Sequence, residues 1–127
     1  MHSRLSFENP PALPHEVVVE TLERALRDRS HEGEAADALV GIALSDDDRE
    51  FVEQWCLEVG TRAVSGSALL GPGGLCLGHI ARRFGHLGDD ALAPAKSLAV
   101  RAEMDPVDVD GRALDGYDDV RSFLHLW

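Results

Sequence analysis

Apolar side chains recur at intervals of three and four residues along most of this 127-residue chain, and no segment of useful length alternates with the two-residue period of a strand. A typical stripe contains Val18, Leu22, Ala25 and Leu26. Leu and Ala together total 32 residues, whereas Val and Ile total 13 and only seven residues are aromatic. Because straight-chain and small apolar residues favour helices, the sequence predicts an all-α domain and argues against a β-barrel or sandwich.

The stripes and the short links between them predict about six helices in three antiparallel pairs. An irregular lead-in is expected over residues 1–13, where two adjacent prolines disfavour helix and where Leu5 and Phe7 are available to pack on the body. A single domain is expected over 14–127. The first three helices are expected to span about 14–29, 32–44 and 45–64. The fourth is expected to end near 84, the fifth to begin near 89, and the sixth to run from 105 to 124.

Proline, glycine and capping residues set the expected helix ends. Pro72 and its neighbouring glycines predict a break near 71–74, and Pro94 predicts a kink inside the fifth helix. The side chains expected at helix starts are those of Ser30, the Ser45–Asp48 pair, Asp89 and Asp105, the last followed by Pro106. A line of glycines that would let a neighbouring helix come close contains Gly71, Gly74, Gly78 and Gly85, and Gly85 is also expected as a C-cap.

The formal net charge is −11, which makes the chain a poor ligand for nucleic acid or anionic membrane and favours basic proteins, basic peptides or metal ions. The charge is uneven: residues 28–58 carry −8, residues 59–85 carry +3 and residues 86–127 carry −5. Two interpretations stay open, which are ordinary solvated helix faces and a docking surface for a basic partner.

Cys56 and Cys76 lack a C-x-x-C spacing and a nearby third ligand, so we expect two reduced thiols in the core of a cytoplasmic protein. The first 14 residues show no secretory signal, and the longest apolar stretch, 68–78, is too short to span a bilayer. We therefore expect no membrane partner, and no motif predicts a cofactor.

The segment DDALAPAKSLAVRAEMDPVDVDGRALDGYDDV, residues 89–120, resembles a HEAT-type helical hairpin. Leu92, Pro94 and Leu98 fit the first helix of that motif, and Asp105-Pro106 with Val109 fits its link approximately. Asp110 departs from the motif, which usually has Arg directly after that Val, and Arg112 is the candidate to replace it. The resemblance implies a HEAT-like stack of antiparallel helical hairpins.

The segments GLCLGHIARRFGHLGDDALAPA and DVDGRALDGYDDVRSFL extend the resemblance over about residues 71–124. They resemble small HEAT-like immunity proteins of bacterial polymorphic-toxin or contact-dependent growth inhibition systems. The resemblance implies a non-catalytic cytoplasmic protein that binds a cognate toxin domain, in many cases a nuclease with a basic cleft, and occludes its active site or substrate groove. The alternatives are a HEAT-like adaptor or scaffold for another protein or peptide, and a small hydrolase or ligand-binding helical domain.

Acidic residues near the C-terminus are the first candidates for toxin contact, and they are Asp108, Asp110, Asp115, Asp118 and Asp119. Asp115 and Asp119 lie one helical turn apart and repel each other, which a cationic partner would relieve. The alternative is relief from inside the molecule, by Arg82 and Arg83 of a neighbouring helix.

A second candidate surface is cationic and contains His79, Arg82, Arg83 and His86. It would meet an acidic partner or line the concave groove, or else form a solvated stripe with salt bridges to the last helix. His79 and His86 lie about 10 Å apart along a helix, too far to share one metal ion. The acids of 46–53 favour helix capping over a metal site, and Trp55 fits the core stripe. No nucleophile elbow, metal motif or phosphate loop appears, so the sequence gives no support to an enzyme.

Overall fold

The computed structural model describes residues 13–126 and contains, within that range, six α-helices and no strand. The predicted all-α stack of helical hairpins is therefore confirmed. The expectations for Leu5 and Phe7 fall outside the described residues. The helices are α1 (His15–Arg27), α2 (Glu32–Ser45), α3 (Arg49–Arg62), α4 (Leu70–Phe84), α5 (Leu92–Met104) and α6 (Arg112–Phe123).

Consecutive helices pair as hairpins, and the hairpins stack so that α1, α3 and α5 form one layer and α2, α4 and α6 form the other. The helices of the second layer run parallel. At their N-terminal ends, Ser67 donates to Glu32, and at their C-terminal ends Arg83 donates to the carbonyl oxygen of Ala43. The two helices of a hairpin run antiparallel, since a Cβ on Gly73 early in α4 would lie 3.5 Å from Val59 late in α3. This layering is the HEAT-like arrangement expected from the sequence.

The core lies between the two layers and confirms the residues predicted from the stripes. Leu22 and Ile42 are fully buried, and Trp55 is 8% exposed. Cys56 and Cys76 are free and buried, as expected. The neighbouring Cys76 thiol and burial raise the pKa of Cys56 well above its ordinary value, so that side chain packs as a neutral thiol.

The predicted break at 71–74 is wrong, because α4 runs without interruption from Leu70 to Phe84. Pro72 is the third residue of that helix, where the backbone nitrogen has no intrahelical acceptor to lose, and the first helical hydrogen bond comes from Gly73. Pro94 has the same place in α5, as its third residue, so the predicted kink loses its basis, which was a proline one turn inside the helix. Both prolines fit into the first turn of a helix because the residues directly before each helix form a turn.

Four of the expected helix starts are also corrected. The Asp28 carboxylate accepts from the backbone of Ser30, so Ser30 does not cap α2. Asp89 lies in a turn before α5, whose N-cap position is Ala91 with no side-chain cap. The last helix begins at Arg112 instead of Asp105, because residues 106–108 form a turn. The predicted Ser45–Asp48 capping pair is corrected as well: Ser45 is the last residue of α2, and Asp48 itself caps α3 by accepting from the backbone of Phe51 at 3.1 Å.

The predicted glycine line allows α4 and α6 to come into backbone contact. A Cβ on Gly74 would lie 2.8 Å from Cβ of Ala113, and one on Gly78 would lie 2.8 Å from Cα of Gly116. Both distances are shorter than carbon atoms can approach without displacement, so only glycine fits. Gly85 has a different role, since its φ of 65° ends α4 in the left-handed conformation, as also predicted.

The links inside the three hairpins lie side by side and are tied together along one edge of the stack. Arg29, in the first link, donates to the carbonyl oxygen of Gly66 at 2.8 Å. The backbone of Gly66 donates in turn to the carbonyl oxygen of Asp108 at 2.9 Å, and the Ser65 hydroxyl donates to the Asp108 carboxylate at 2.6 Å. This series of contacts fixes the positions of the three links relative to one another, and we call it the hairpin edge.

Candidate functional site

Two of the five candidate acids hold the structure together. The Asp108 carboxylate accepts from Arg101 Nε at 2.8 Å and Nη2 at 2.7 Å, as well as from Ser65. These contacts lower the pKa of Asp108 from 3.8 to about 2. Asp110 accepts from the backbone and the side chain of Arg112, and these two hydrogen bonds lower the pKa of Asp110. Both carboxylates are therefore occupied at the start of α6.

Acid is expected to weaken the Asp108 contact in a defined pH window. Because folding lowers the pKa of Asp108 from 3.8 to about 2, its carboxylate stabilises the fold above about pH 4, and that contribution is lost as the pH falls toward 2. Asp108→Asn should therefore lower the free energy of unfolding at neutral pH and differ less from the unmodified protein near pH 2. Urea titrations at several pH values measure this difference.

The control for that titration is Asp118→Asn, which removes an exposed carboxylate that has no ion-pair partner within residues 13–126. A difference between Asp108→Asn and the unmodified protein that stays constant from pH 6 to pH 2 would contradict the assigned role of the Arg101 contact.

His79, Arg82 and Asp119 meet where α4 passes α6. Arg82 Nη2 lies 2.9 Å from His79 Nδ1, and Arg82 Nη1 lies 3.7 Å from the Asp119 carboxylate. A guanidinium group only donates, so Nδ1 accepts and the ring proton is on Nε2. Burial and the charge of Arg82 lower the pKa of His79, while Asp119 opposes that shift. His79 is consequently neutral at neutral pH, and Arg82 is the only cation of this trio.

The predicted cationic surface is not assembled as expected, because Arg83 lies on a different side of α4 from Arg82. Its Nη1 donates to the carbonyl oxygens of Ala43 and Asp46, each at 2.9 Å, and its Nη2 donates to Asp47 at 3.2 Å. Arg83 therefore fastens α4 to the end of α2. Adjacent helical residues point about 100° apart, which separates these two arginines.

Within residues 13–126, Asp119 is the only acid of α6 that an arginine of another helix neutralises. Arg82 is its partner, and Arg83 reaches none of the α6 acids. Asp115 and Asp118 are exposed and form no ion pair or side-chain hydrogen bond within the described part of the chain. These two carboxylates are therefore the members of the predicted acidic group that remain available to a partner.

Two further carboxylates that the sequence analysis did not single out lie in the same layer. Glu34 and Asp37 on α2 are exposed and, within residues 13–126, have no ion-pair partner. They are three residues apart, a spacing that places both on one side of a helix and that marks them in the sequence. We call Glu34, Asp37, Asp115 and Asp118 the acidic face.

The acidic face lies on both sides of α4. Since α2, α4 and α6 run parallel, the first half of α2, with Glu34 and Asp37, is level with the first half of α6, with Asp115 and Asp118. The helix between them contains no acid, and its exposed cation Arg82 is paired with Asp119. Packed helices are usually spaced by about 8–10 Å, and α4 and α6 are closer because glycines meet between them, so the axes of α2 and α6 are less than about 20 Å apart. Two carboxylate pairs on separate helices suit a protein surface better than a small ligand.

Capping accounts for part of the acids of 46–53, since Asp48 caps α3 and Asp46 accepts from the backbone of Asp48 at 2.8 Å. Asp46 forms a hydrogen bond with His15 at 2.8 Å, and the ring of His15 stacks on Phe51 with 3.6 Å between centroids. Glu53 is 7% exposed and accepts from Arg49 at 2.7 Å and from the backbone of Gly88 at 2.9 Å. Asp46, Asp48 and Glu53 therefore hold the links around α3 in place, whereas Asp47 and Glu50 are exposed and Glu50 has no side-chain partner within residues 13–126.

Within residues 13–126, no three side chains among His, Cys, Asp and Glu are grouped so that they would hold a metal ion. No helix in that range is long and apolar enough to cross a membrane. A depression of about 470 Å³ between α3 and α5 is lined by Gln54, Leu57, Glu58, Thr61, Asp90 and Pro94. The one hydroxyl in this lining, that of Thr61, donates to the backbone carbonyl oxygens of Leu57 at 3.0 Å and Glu58 at 3.2 Å.

Comparison with protein-family models, with curated proteins and with solved structures finds no match to this chain.

Proposed function

We propose that this chain is an immunity protein that binds a basic bacterial toxin domain in the cytosol and blocks its active site or substrate groove. The observation that carries the proposal is the acidic face, whose four carboxylates are exposed and unpaired within the described residues. A nuclease cleft attracts phosphates with cationic side chains, and carboxylates held on a folded surface compete for the same positions. The resemblance of residues 71–124 to small immunity proteins supports the same partner.

Electrostatic attraction of this kind acts mainly on the rate of association. The chain carries a net charge of −11, and opposite charges on a partner would steer the encounter before contact. Exposed ion pairs add little to affinity, because each is screened by salt and orders two long side chains. A basic toxin should therefore associate rapidly at low salt and more slowly as the salt concentration rises.

The test uses the toxin domain encoded next to this chain and measures association by surface plasmon resonance. Asp115→Lys combined with Asp118→Lys should slow association by about tenfold or more at low salt, with a smaller effect at high salt. The matched control is Asp89→Lys combined with Asp90→Lys, which changes the net charge equally in the α4–α5 link. Equal slowing by both pairs would assign the effect to net charge and contradict a specific acidic face.

Protection of cells is the second measurement. Co-expression of the unmodified chain should restore growth to cells that make the toxin, and the Asp115→Lys, Asp118→Lys variant should protect less. Absence of both binding and protection would refute the immunity function and leave the adaptor hypothesis, for which the partner is a different protein or peptide.

A further inference from the structure

Exposed aliphatic side chains concentrate at one edge of the molecule. Seven large hydrophobic residues are exposed within residues 13–126. Four of them lie at the C-terminal end of α5 or in the links beside the hairpin edge, and they are Val100, Met104, Val64 and Val107. Met104 and Val107 are 81% and 80% exposed. Single exposed aliphatic residues are ordinary, but a group at one place marks an interaction surface. We call these four residues the apolar edge.

Contacts on the hairpin edge bring the members of the apolar edge together. Val64 and Val107 each adjoin one partner of the 2.6 Å hydrogen bond between Ser65 and Asp108. A Cβ on Gly66 would lie 3.6 Å from the carbonyl oxygen of Val107, so the two links touch there. Val100 and Met104 are four residues apart and share one side of α5. Val64 and Val107 therefore lie on touching links of two hairpins, and Val100 and Met104 lie on the helix that leads into the second of these links.

The patch is held in place before any partner arrives. Arg101 holds Asp108 with two hydrogen bonds, and Asp105 accepts from the backbone of Val107 at 3.0 Å. A partner therefore does not have to order these links, and less of the binding free energy is spent on fixing them. Met104 adds an unbranched, adaptable side chain that fits recesses of irregular shape.

The charges around the apolar edge indicate which kind of partner binds there. Glu103 and Asp105 flank Met104 and are exposed, and the nearby cations Arg101 and Arg112 are already paired with Asp108 and Asp110. A second copy of this chain also carries a net charge of −11, so the same acidic surroundings would repel it. A basic partner finds complementary charge there, with aliphatic side chains at the centre.

We propose that the apolar edge anchors the same basic toxin domain that the acidic face attracts, by inserting Met104 and Val107 into an aliphatic recess ringed by Lys or Arg. This inference rests on the proposed immunity function and adds a division of roles to it. The acidic face governs the rate of association, whereas the apolar edge governs the rate of dissociation. Protein interfaces commonly have an apolar centre, in which Met is enriched, inside a polar rim, and this edge has the same arrangement.

The test measures both rate constants for the toxin domain encoded next to this chain, at low and at high salt. Val107→Ser and Met104→Ser should each speed dissociation by about tenfold or more, at both salt concentrations, and leave association nearly unchanged. The matched control is Val17→Ser on α1, which removes an aliphatic side chain that is 41% exposed in the first hairpin. Thermal unfolding of each variant verifies that the fold is retained.

The outcomes separate the two proposals. Tight binding that Val107→Ser and Met104→Ser leave unchanged would overturn the anchor and leave the immunity function intact. No complex with the toxin domain would overturn both. Sedimentation of the free chain provides a third outcome: a dimer that Val107→Ser dissociates would make the apolar edge a contact between two copies and would also overturn the proposal.

Discussion

Gly116→Ala is expected to destabilise the fold by about 3 kcal/mol, because the added methyl group has no space between α6 and α4. A Cβ at this position overlaps the carbonyl group of Gly74, with its carbon atom 2.6 Å away, and lies 2.7 Å from Cα of Leu75. Both neighbours are backbone atoms of a helix, which have no rotamer to change. The two hairpins must separate, and the packing around Ala113 loosens with them. Chemical denaturation followed by circular dichroism measures the loss.

The matched substitution is Gly33→Ala in α2, where a Cβ meets no atom within 4 Å. Alanine stabilises a helix relative to glycine by about 0.5–1 kcal/mol, so this variant should be slightly more stable than the unmodified protein. The same Gly→Ala change is therefore expected to lower stability at position 116 and to raise it at position 33. A Gly116→Ala protein as stable as the unmodified chain would show that α4 and α6 do not pack at the distance described.

Glu32→Ala has the second largest expected effect, a loss of about 2–3 kcal/mol, because it leaves buried donors without an acceptor. Glu32 is 7% exposed and accepts from the Ser67 hydroxyl at 2.7 Å and from the backbone of Ala68 at 3.0 Å. Arg29 lies 3.3 Å from the same carboxylate. This side chain fastens the start of α2 to the link before α4, and its removal should loosen both.

Glu34→Ala is the control for that variant. Glu34 lies in the same first turn of α2, where a carboxylate complements the helix dipole, but it is exposed and has no side-chain partner within residues 13–126. Its removal should cost less than about 1 kcal/mol. The difference between the two variants in free energy of unfolding, measured by urea titration, isolates the contacts to Ser67 and Ala68. Equal losses would assign the whole effect to the helix dipole.

Much of the fold was predictable from local pattern. The stripe through Leu22 and the C-cap at Gly85 are signals that a short segment carries by itself, and the structure has both of them. The glycine line was also visible, because Gly74 and Gly78 fall one turn apart on α4. The partner helix at that line was not specified, since Gly116 is far away in the sequence.

Helix starts were less predictable, and Pro72 and Pro94 show why. A proline is compatible with the first turn of a helix and disruptive further inside it, so its effect depends on where the preceding turn ends. The turns at Ser67 and Gly88 are fixed by buried carboxylates of other helices, Glu32 and Glu53. Distant contacts therefore decided these boundaries, which the local sequence placed several residues away.

The candidate site was predicted in part for the same reason. Sequence patterning identified a group of acids near α6, but it did not separate Asp108, held by Arg101, from Asp115 and Asp118, which have no such partner within residues 13–126. It also grouped Arg83 with Arg82, although the two contact different helices.

The sequence alone determined that this chain forms amphipathic helices with an excess of carboxylates, because helical period and formal charge are properties of the residues themselves. The tertiary structure determined which carboxylates form hydrogen bonds or ion pairs that join the links and which stay exposed. It also decided that Val64 and Val107, 43 positions apart, share one edge. Hydrogen bonding and burial depend on distances between segments remote in the chain, and only the packed hairpins set those distances.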